Sequence, residues 1–592
     1  MSTPDRLFKL RSYMATIGVD AYIITSADPH LSEYPAEHWK FREWMSGFTG
    51  SAGTLIVTNE EAGLWTDSRY FLQAEEQLHD SGIDLYKQDE NGVPNYKEWL
   101  CVNLFAGGVV GVNGKTMTIG EYRQLAKSLK KVDIRLDGKV FLEEEVWEGR
   151  PPLPEEGIFE LDTKYCGLSR EDKVELIRHR MKQAGVTHYV IASLDEIAWA
   201  LNFRGSDIAY NPLFHSYLII TENQVNLFID PHKLTSSIGK KLAEEDIKVF
   251  LYDDFYEFIK DLLQDSIILI DPNRTNSTIL SNLPSQSAKI EQESIITQLK
   301  AQKNETEIEN FRKAMVKDGV AMVKFLYWLD KSVGKELISE FTAAKKLSSY
   351  RAEQENYHGN SFNTISGYAG NGAVVHYAVQ EESAAALEAK GLFLIDSGGQ
   401  YSEGTTDITR TVALGPLTEE EKTDFTLVLK GHIGLDKAVF PIGTRGVHID
   451  ILARQAMWQH GINYGHGTGH GIGHFLCVHE GPQSIRPQDN GVEIKEGMIS
   501  SNEPGIYKAG KHGIRIENLI LTIKDKETAF GSFLKFETLT LCPIDKRAID
   551  ASLLDEAEKN WLNNYHQKVF NLLAPHLSEE EKSWLKECTN SL

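Results

Sequence analysis

The chain has 592 residues, and its 62 basic and 85 acidic side chains leave a formal net charge of −23 at pH 7. This length predicts three or four domains, and an apolar fraction of 41% excludes a globally disordered chain. The acidic balance argues against binding to nucleic acid or to an anionic membrane, since both require basic patches.

The sequence lacks the patterns of a membrane or secreted protein. No apolar run of about 18 residues occurs, so we expect no membrane span. Residues 1–20 have the pattern of an amphipathic helix and lack the apolar stretch of a signal peptide. The cysteines are few and widely spaced, without a CxxC pair, which indicates neither disulfides nor a zinc–thiolate site and favours the reducing cytoplasm. They are Cys101, Cys166, Cys477, Cys542 and Cys588.

The first half of the chain contains a repeat. Residues 11–28 (RSYMATIGVDAYIITSAD) resemble residues 178–195 (RHRMKQAGVTHYVIASLD), and residues 53–67 resemble residues 216–230 in the same order. Each copy has the pattern of a helix, a glycine cap, an apolar strand and a two-stranded hairpin. We therefore expect two related α/β domains of roughly 150 residues each.

Composition shifts predict the domain boundaries. The Pro-rich segment RPPLPEE at 150–156 separates the copies, which places the first domain at 1–150 and the second at 157–300. A third domain is expected at 301–545, and a helical extension at 546–592.

The third domain is predicted to begin with a long helix, which Asn304 and Glu307 cap. Gly-rich strands follow, with further helices near 335–354 and near 447–460. The chain ends in helices that we expect to pack on this domain, because they are too short to form one of their own.

Two aspartates lie in a predicted hairpin at 391–412. An apolar strand ends at Asp396, a Gly-Gly turn follows, and a β-prone, Thr-rich strand carries Asp407. An antiparallel pair of strands can place both carboxylates on one face. Two buried carboxylates that close repel each other unless a cation lies between them, so the hairpin indicates a metal site. The alternative for Asp396 is an ordinary turn former.

The segment GHGTGHGIGHFLCVH at 465–479 interleaves glycines with histidines. Glycine at alternate positions disfavours a helix and indicates backbone packed closely beside a ligand or metal. Imidazole suits a divalent transition metal. A His-rich surface loop is the alternative, but the apolar residues in the same segment require burial. The four histidines are His466, His470, His474 and His479.

Two glutamates follow at predicted strands. Glu503 precedes Pro-Gly in SSNEPGIY, and Glu517 alternates with isoleucines in GIRIENLILT, on one face with Arg515. Their separation suits an antiparallel pair that brings both carboxylates together. Considered alone, each glutamate is expected to be a solvated strand residue. The prediction that they bind metal therefore depends on their combination with the aspartate hairpin and the Gly/His segment.

Two aspartates, two glutamates and one imidazole form a hard, oxygen-rich ligand set. This set favours two Mn²⁺-like ions over a zinc–thiolate site, with Zn²⁺, Co²⁺ or Fe²⁺ as substitutes, and its four negative charges match two divalent ions. Two ions roughly 3.5–4 Å apart can hold a bridging hydroxide and polarise a carbonyl. The predicted reaction is the hydrolysis of an amide or ester.

Five motifs together resemble the pita-bread metallopeptidases, which include methionine aminopeptidase, prolidase and Xaa-Pro aminopeptidase; creatinase shares the fold. The resemblance covers essentially the whole chain and is greatest for the long, three-domain, cytosolic Xaa-Pro aminopeptidases. It implies an α/β (α+β) fold with two creatinase-like N-terminal domains, a pita-bread catalytic domain and a short helical extension. The motifs are HYAV (376–379), DSGGQYSEGTTDITRT (396–411), GHGTGHGIG (465–473), NEPGIY (502–507) and GIRIENL (513–519).

The resemblance implies a role for each of five ligands to two divalent ions. Asp396 would bind one ion through both oxygens, while Asp407 and Glu517 would bridge the two. His470 and Glu503 would bind the second ion. Glu503 would also accept a proton from the bridging water, a role that a metal-bound carboxylate can share with catalysis.

The resemblance also implies substrate-binding residues. Of His376 and His479, one would steady the scissile carbonyl or its oxyanion and the other the region around the proline. His466 lies where the family forms the proline pocket, and His470 and Glu503 would contact substrate as well.

Two arginines are expected to support the site. Arg515 would orient Glu517, and Arg69, in WTDSRYF, resembles an arginine of the N-terminal domain that reaches the substrate channel. His474 has no expected role beyond packing.

The implied activity is the release of the first residue from peptides with proline in the second position. The alternatives are a prolidase, which cleaves only Xaa-Pro dipeptides, and a silent peptide- or histone-binding relative, which would have lost the metal ligands. Methionine aminopeptidase and creatinase chemistry are disfavoured, because the first needs no large N-terminal domains and the second no metal ligands. The expected partners are peptide substrates and a second copy of the chain in a homodimer.

Overall fold

A computed structural model describes residues 1–592, which fold into two compact units. The first unit comprises Met1–Leu161 and Leu168–Gln298, and the second comprises Asp162–Gly167 and Leu299–Leu592. Helices and strands are mixed in both units, as the sequence predicts. None of the helices combines the length and the apolar character that crossing a membrane requires.

The first unit contains two six-stranded sheets. In the first sheet the strand order is β4-β3-β2-β1-β5-β6, with β1 antiparallel to β2 and parallel to β5. Its elements are α1 (Thr3–Ile17), β1 (Ala21–Ile24), α2 (Phe41–Ser46), β2 (Thr54–Thr58), β3 (Ala62–Thr66), α3 (Phe71–Gln77), β4 (Asp84–Lys87), α4 (Tyr96–Asn103), β5 (Val109–Val112), α5 (Ile119–Lys130), β6 (Arg135–Asp137) and α6 (Glu143–Val146).

The second sheet has the equivalent strand order, β12-β11-β10-β8-β13-β14. The elements of this stretch of chain are β7 (Phe159–Glu160), α7 (Thr163–Cys166), α8 (Arg170–Gln183), β8 (His188–Ile191), α9 (Leu194–Leu201), β9 (Phe203–Arg204), β10 (Ser216–Thr221), β11 (Val225–Ile229), α10 (Ser236–Glu244), β12 (Ile247–Phe250), α11 (Phe255–Lys260), β13 (Ile267–Ile270), α12 (Ser277–Asn282), β14 (Ala288–Glu291) and α13 (Ile295–Ala301).

The repeated strand order agrees with the sequence repeat. In both copies a glycine with positive φ ends the first helix, Gly18 at 69° and Gly185 at 68°, and an apolar strand follows. The two copies also contact each other, since Asn276 Nδ2 donates to Pro29 O at 2.7 Å. The two predicted N-terminal domains therefore form one compact unit.

The second unit is built from curved antiparallel sheets covered by helices. Its elements are α14 (Glu305–Ser332), α15 (Glu340–Ala352), β15 (Tyr357–Asn360), β16 (Ile365–Tyr368), β17 (Leu392–Ser397), β18 (Gly399–Tyr401), β19 (Gly404–Thr405), β20 (Ile408–Ala413), α16 (Glu419–Asp436), β21 (Val439–Pro441), α17 (Gly446–Trp458), β22 (Gly469–His470), β23 (Ser484–Ile485), β24 (Ile499–Asn502), β25 (Gly505–Lys508), β26 (His512–Arg515), β27 (Asn518–Thr528), β28 (Gly531–Thr538), α18 (Glu556–Leu573) and α19 (Glu579–Cys588).

Two contacts explain the extent of the second unit. The Asn304 side chain caps α14 in the predicted box with Glu307, and its Nδ2 also donates to Cys166 O at 2.9 Å, which ties residues 162–167 to this unit. The C-terminal helices bury apolar side chains, among them Leu562, in one core with Phe425 of α16. The extension therefore packs on the third region, as predicted.

Candidate metal centre and active site

The two aspartates lie on paired antiparallel strands, as the hairpin pattern predicts. β17 pairs with β20 so that Asp396 lies opposite Thr409, and Asp407 comes one residue before β20 begins. Both carboxylates are buried. The apolar residues of these strands fill the core on one side, so the acids are held at the ends of rigid elements.

The two glutamates also lie opposite each other. Asn502 of β24 pairs with Asn518 of β27, and Glu503 and Glu517 extend this antiparallel register by one residue on each strand. Glu503 N donates to Thr468 O at 2.8 Å, which fixes the Glu503 backbone to the Gly/His segment. The predicted pairing of these two strands is confirmed.

Thr409 joins the aspartate hairpin to the glutamate strands. Its carbonyl accepts from Glu517 N at 3.1 Å, and its hydroxyl donates to Glu517 Oε2 at 2.8 Å. Arg515 Nε donates to the same hydroxyl at 3.0 Å, while its Nη2 donates to Asp396 Oδ2 at 2.5 Å. The direct partner of Arg515 is therefore Asp396, and Arg515 reaches Glu517 through Thr409.

His470 presents one ring nitrogen to the carboxylates. Its Nδ1 lies 3.0 Å from Gly471 O, and a nitrogen that faces a carbonyl must carry the proton. In the neutral ring this leaves Nε2 as the acceptor, 3.5 Å from Asp407 Oδ2 and from Glu503 Oε1. An imidazole oriented in this way by a carbonyl has the geometry of a metal ligand.

The glycines around His470 permit close approach of the backbone, and no helix forms in this segment, as predicted. A Cβ at Gly469 would lie 2.1 Å from Ser501 O, and one at Gly471 would lie 2.0 Å from Glu480 O. Both distances are far inside van der Waals contact, so a residue with a side chain would displace the backbone that carries His470.

The carboxylates and the imidazole converge on one point. Ligand atoms of Asp407, His470 and Glu517 all lie within 4.8 Å of one another, and Asp396 and Glu503 border this group through the contacts above. Asp396 Oδ1 is buried and accepts no hydrogen bond. An orphaned carboxylate oxygen beside three further acids is the donor set that hard divalent cations bind, so these residues fit a metal centre.

The pKa values of the carboxyl groups also indicate a metal centre. Burial, and then repulsion from Glu517, raise the pKa of Asp407 and of Glu503 well above their usual range. Burial and the charge of Asp396 raise the pKa of Glu517 to about 7. Arg515 bonds directly to Asp396, and one guanidinium does not balance four carboxylates, so further positive charge is needed to keep all of them ionised.

Two of the predicted substrate histidines, His479 and His466, contact candidate ligands, and the third, His376, follows a turn that packs on a neighbouring strand. The His479 ring stands perpendicular to that of His470, with centroids 4.4 Å apart. His466 Nδ1 lies 4.0 Å from Glu503 Oε2. His376 follows a 3₁₀ turn at Ala369–Ala373 that packs closely on β26, the strand that leads to Glu517.

Tyr507 is a site residue to which the sequence reasoning assigned no role. Its hydroxyl lies 2.8 Å from His466 Nε2 and accepts from Arg515 Nη1 at 2.7 Å, so it links the histidine to the arginine that holds Asp396. The signal was present in the motif NEPGIY, because in an extended chain Tyr507 shares a face with Glu503.

The two remaining residues differ in position. Arg69 lies in the first unit, where its Nε and Nη2 donate to the Asp67 carboxylate at 2.8 and 2.7 Å, and its contact with substrate stays a prediction. His474 is buried and packs edge-on against Phe311, with ring centroids 5.4 Å apart, which agrees with the expected packing role.

Four family profiles match the chain. Metallopeptidase family M24 matches residues 309–524, and the C-terminal region of peptidase M24 matches residues 532–592. The Creatinase/Prolidase N-terminal domain matches twice, at 6–138 and at 149–307. The two latter matches correspond to the two copies of the repeat.

Curated relatives match over the full length of the chain. A probable Xaa-Pro aminopeptidase P of Laccaria bicolor is 42% identical, with 100% of this chain and 94% of the relative covered. Aminopeptidase P2 of Arabidopsis thaliana is 40% identical, with 97% and 86% covered.

Solved structures show the same relationship. An X-prolyl aminopeptidase from Caenorhabditis elegans, described as a cytosolic enzyme with a di-nuclear active site, matches with a TM-score of 0.97 and 36% identity over 100% of both chains. An Xaa-Pro dipeptidase from Bacillus anthracis, at 21% identity and a TM-score of 0.51, covers 64% of this chain and shares the fold alone. The convergent ligand set and the full-length relatives together show that this chain belongs to the Xaa-Pro aminopeptidase P group of metallopeptidase family M24.

Proposed function

We propose that the chain is a metal-dependent aminopeptidase that releases the N-terminal residue from peptides with proline in the second position. The observation that carries the proposal is the cluster of Asp407, His470 and Glu517, with Asp396 and Glu503 beside it, in a chain that aligns end to end with Xaa-Pro aminopeptidases. A prolidase is disfavoured, because the dipeptidase shares the fold over only part of this chain. A silent binding relative is disfavoured because all five candidate ligands are present.

The five acidic and imidazole side chains would hold two divalent ions, for which we propose Mn²⁺. Asp396 would bind one ion, Asp407 and Glu517 would bridge both, and His470 and Glu503 would bind the second. When bound, such ions supply a Lewis acid that lowers the pKa of water and polarises a peptide carbonyl. Oxygen-rich ligands favour Mn²⁺ among the ions considered.

Residues of the chain would transfer the proton of the attacking water and orient the metal ligands. Glu503 accepts only a weak hydrogen bond, from Ser501 Oγ at 3.3 Å, so its carboxylate can take a proton from the attacking water. The same proton is then available to the proline nitrogen as it leaves. Arg515 orients Asp396 through their direct bond.

The histidines would bind the substrate around the scissile bond. We propose that His479 or His376 donates to the carbonyl oxygen as it becomes an oxyanion, and that the other contacts the region of the proline. His466, which Tyr507 holds through a hydrogen bond, would border the proline pocket. The acids of the cluster would receive the free N-terminal amine of the peptide.

The finer features of the prediction belong to the same proposal. We infer that Arg69 contacts bound peptide, that the chain forms a homodimer in the cytoplasm, and that neither nucleic acid nor a membrane is a partner. The functional domains would be 1–150, 157–300, 301–545 and 546–592. Light scattering on the purified protein tests the dimer, which a monomeric mass would contradict.

The decisive experiment compares three peptides with Mn²⁺-loaded protein. We expect release of the first residue from Xaa-Pro-Yaa and little from Xaa-Ala-Yaa. Equal rates on these two would remove the proline specificity, and cleavage of Xaa-Pro alone would make the chain a prolidase. Asp407→Asn is the matched control, since it keeps the shape of the side chain and should abolish cleavage if the residue bridges the ions.

A further inference from the structure

Glu480, the residue after His479, forms a buried ion cluster with two lysines. Lys303 Nζ lies 2.7 Å from Glu480 Oε1, and Lys300 Nζ lies 2.8 Å from Glu480 Oε2. All three side chains are about 1% exposed. Lys303 Nζ also donates to Lys300 O at 2.9 Å, so the two lysines form one site for the carboxylate.

From this cluster we infer that Glu480 is a positioning residue that holds His479 against His470. The inference rests on the proposed function, in which His479 contacts substrate. It assigns to the two lysines, which are distant in sequence from the Gly/His segment, the task of fixing that segment.

The cluster is costly as a means of stabilising the fold. Taking three ions out of water carries a penalty of several kcal/mol for each ion, and apolar side chains of similar size commonly give equal or greater stability. Both lysines contact the same carboxylate, that of Glu480. Unlike apolar packing, this arrangement fixes the direction of the Glu480 side chain, because Lys303 Nζ donates a hydrogen bond to Glu480 Oε1.

The backbone of Glu480 is joined to the segment that carries His470. Glu480 N donates to Gly471 O at 2.8 Å. A Cβ at Gly473 would lie 2.8 Å from Glu480 Oε2, so that glycine leaves room for the carboxylate. Lys303 N in turn donates to Gly497 O at 2.9 Å, close before the strand that ends at Glu503. Glu480 is thus bonded to the Gly/His segment through its backbone and to Lys303 through its side chain, and the Lys303 backbone is bonded to the residues before β24.

The position of His479 follows from these bonds. The Glu480 carboxylate points to the lysines, while the neighbouring imidazole lies perpendicular to that of His470 at 4.4 Å. Neutralising Glu480 would remove the charge that both buried ammonium groups face, and they would draw water or move apart. A displacement of about 1 Å at a catalytic group can lower a rate by about 100-fold.

The test is a double-mutant cycle with Glu480→Gln and His479→Ala, measured as kcat/KM on a peptide that the wild type cleaves. We expect Glu480→Gln alone to lower kcat/KM by about 10- to 100-fold, and by no more than about threefold once His479 is alanine. If Glu480→Gln lowered kcat/KM by the same factor with His479 and with alanine at position 479, its role would be merely structural and the inference would be overturned. An unchanged kcat/KM in the single variant would overturn it as well.

Asp318→Asn is the matched control. Asp318 is also a buried carboxylate with a cationic partner, Arg351 at 2.8 Å, and it shares no hydrogen bond with the five candidate ligands. We expect it to lower the thermal midpoint while leaving kcat/KM within about threefold of wild type. If it lowers kcat/KM as much as Glu480→Gln, the effect belongs to lost stability and the inference fails.

Two further measurements keep the inference testable. If Glu480→Gln does not fold, Lys303→Met is the second variant, because it removes one of the two ammonium groups that hold the carboxylate. We expect Lys303→Met to lower kcat/KM less than Glu480→Gln does, and to lower it by a smaller factor once His479 is alanine. The same fold-loss of kcat/KM in both backgrounds would overturn the inference. Hydrogen exchange tests whether the lysines fix the Glu480 backbone. It does not depend on activity, so its outcome is separate from that of the proposed function. The backbone amide of Glu480 should exchange at least about tenfold faster in Lys303→Met than in Asp318→Asn. Equal exchange rates would show that the lysines do not hold Glu480 and would refute the inference.

Discussion

Glu517→Gln should stabilise the metal-free protein above neutral pH and destabilise the metal-loaded one. The pKa of Glu517 rises from an ordinary 4.5 to about 7 because the carboxyl is buried beside Asp396. The folded state therefore binds a proton that the unfolded state releases, so this contribution to stability is complete below about pH 4.5 and is lost as the pH rises to about 7. The difference corresponds to about 3 kcal/mol, since each pKa unit is worth about 1.4 kcal/mol.

The variant removes the charge and keeps the shape. Glutamine can still accept the hydrogen bond from the Thr409 hydroxyl, which spans 2.8 Å in the wild type. In chelator at pH 8 we expect the thermal midpoint of Glu517→Gln to exceed that of wild type by roughly 2–5 °C. At pH 4.5 the two midpoints should converge. With Mn²⁺ at about 100 times its dissociation constant the order should reverse, because the wild type gains about 2.7 kcal/mol for each bound ion.

Differential scanning calorimetry at pH 4.5, 6 and 8, with chelator and with Mn²⁺, provides the measurement. Glu527→Gln is the control for net charge, because Glu527 is exposed on β27, the strand that follows Glu517. Equal midpoints for wild type and Glu517→Gln in chelator at pH 8 would refute the repulsion on which the metal assignment rests. Equal stabilisation of both by Mn²⁺ would refute the role of Glu517 as a ligand.

Three further outcomes follow from contacts at the site. Thr409→Val removes the hydroxyl between Glu517 and Arg515 and should lower kcat about tenfold in steady-state assays; an unchanged kcat would contradict that role. Tyr507→Phe breaks the bond to His466 and should lower kcat/KM for proline peptides about tenfold, whereas loss of bound metal instead would place Tyr507 in metal binding. Elemental analysis should find about two Mn²⁺ ions per wild-type chain and about one in His470→Ala, and equal contents would remove His470 from the ligand set.

Several features of the site could be predicted because they depend on local patterns. Asp396 ends an apolar strand and Asp407 begins a Thr-rich one, and such strands pair across a short turn. The alternation around Glu517 predicted one strand over 513–522, whereas the structure divides it into β26 and β27, with Ile516 and Glu517 between them. Glycines beside His470 indicated close backbone approach, which the distances confirm.

Other features depend on contacts between distant parts of the chain. Arg515 was expected to orient Glu517, but its guanidinium bonds directly to Asp396 in another strand pair. Contacts such as that of Asn276 with Pro29 likewise join both N-terminal copies in one compact unit. No periodicity in either segment encodes such contacts.

The sequence by itself determined the inventory of the site: which acids and which Gly/His segment are present, and in what order along the chain. These properties follow from residue type and from strand periodicity, which are local. Only the tertiary structure decided that His470 presents Nε2 to the carboxylates, that Tyr507 links His466 to Arg515, and that Lys300 and Lys303 hold Glu480. These contacts arise where separate segments pack together, and their geometry is set by the whole core and not by any one stretch of sequence.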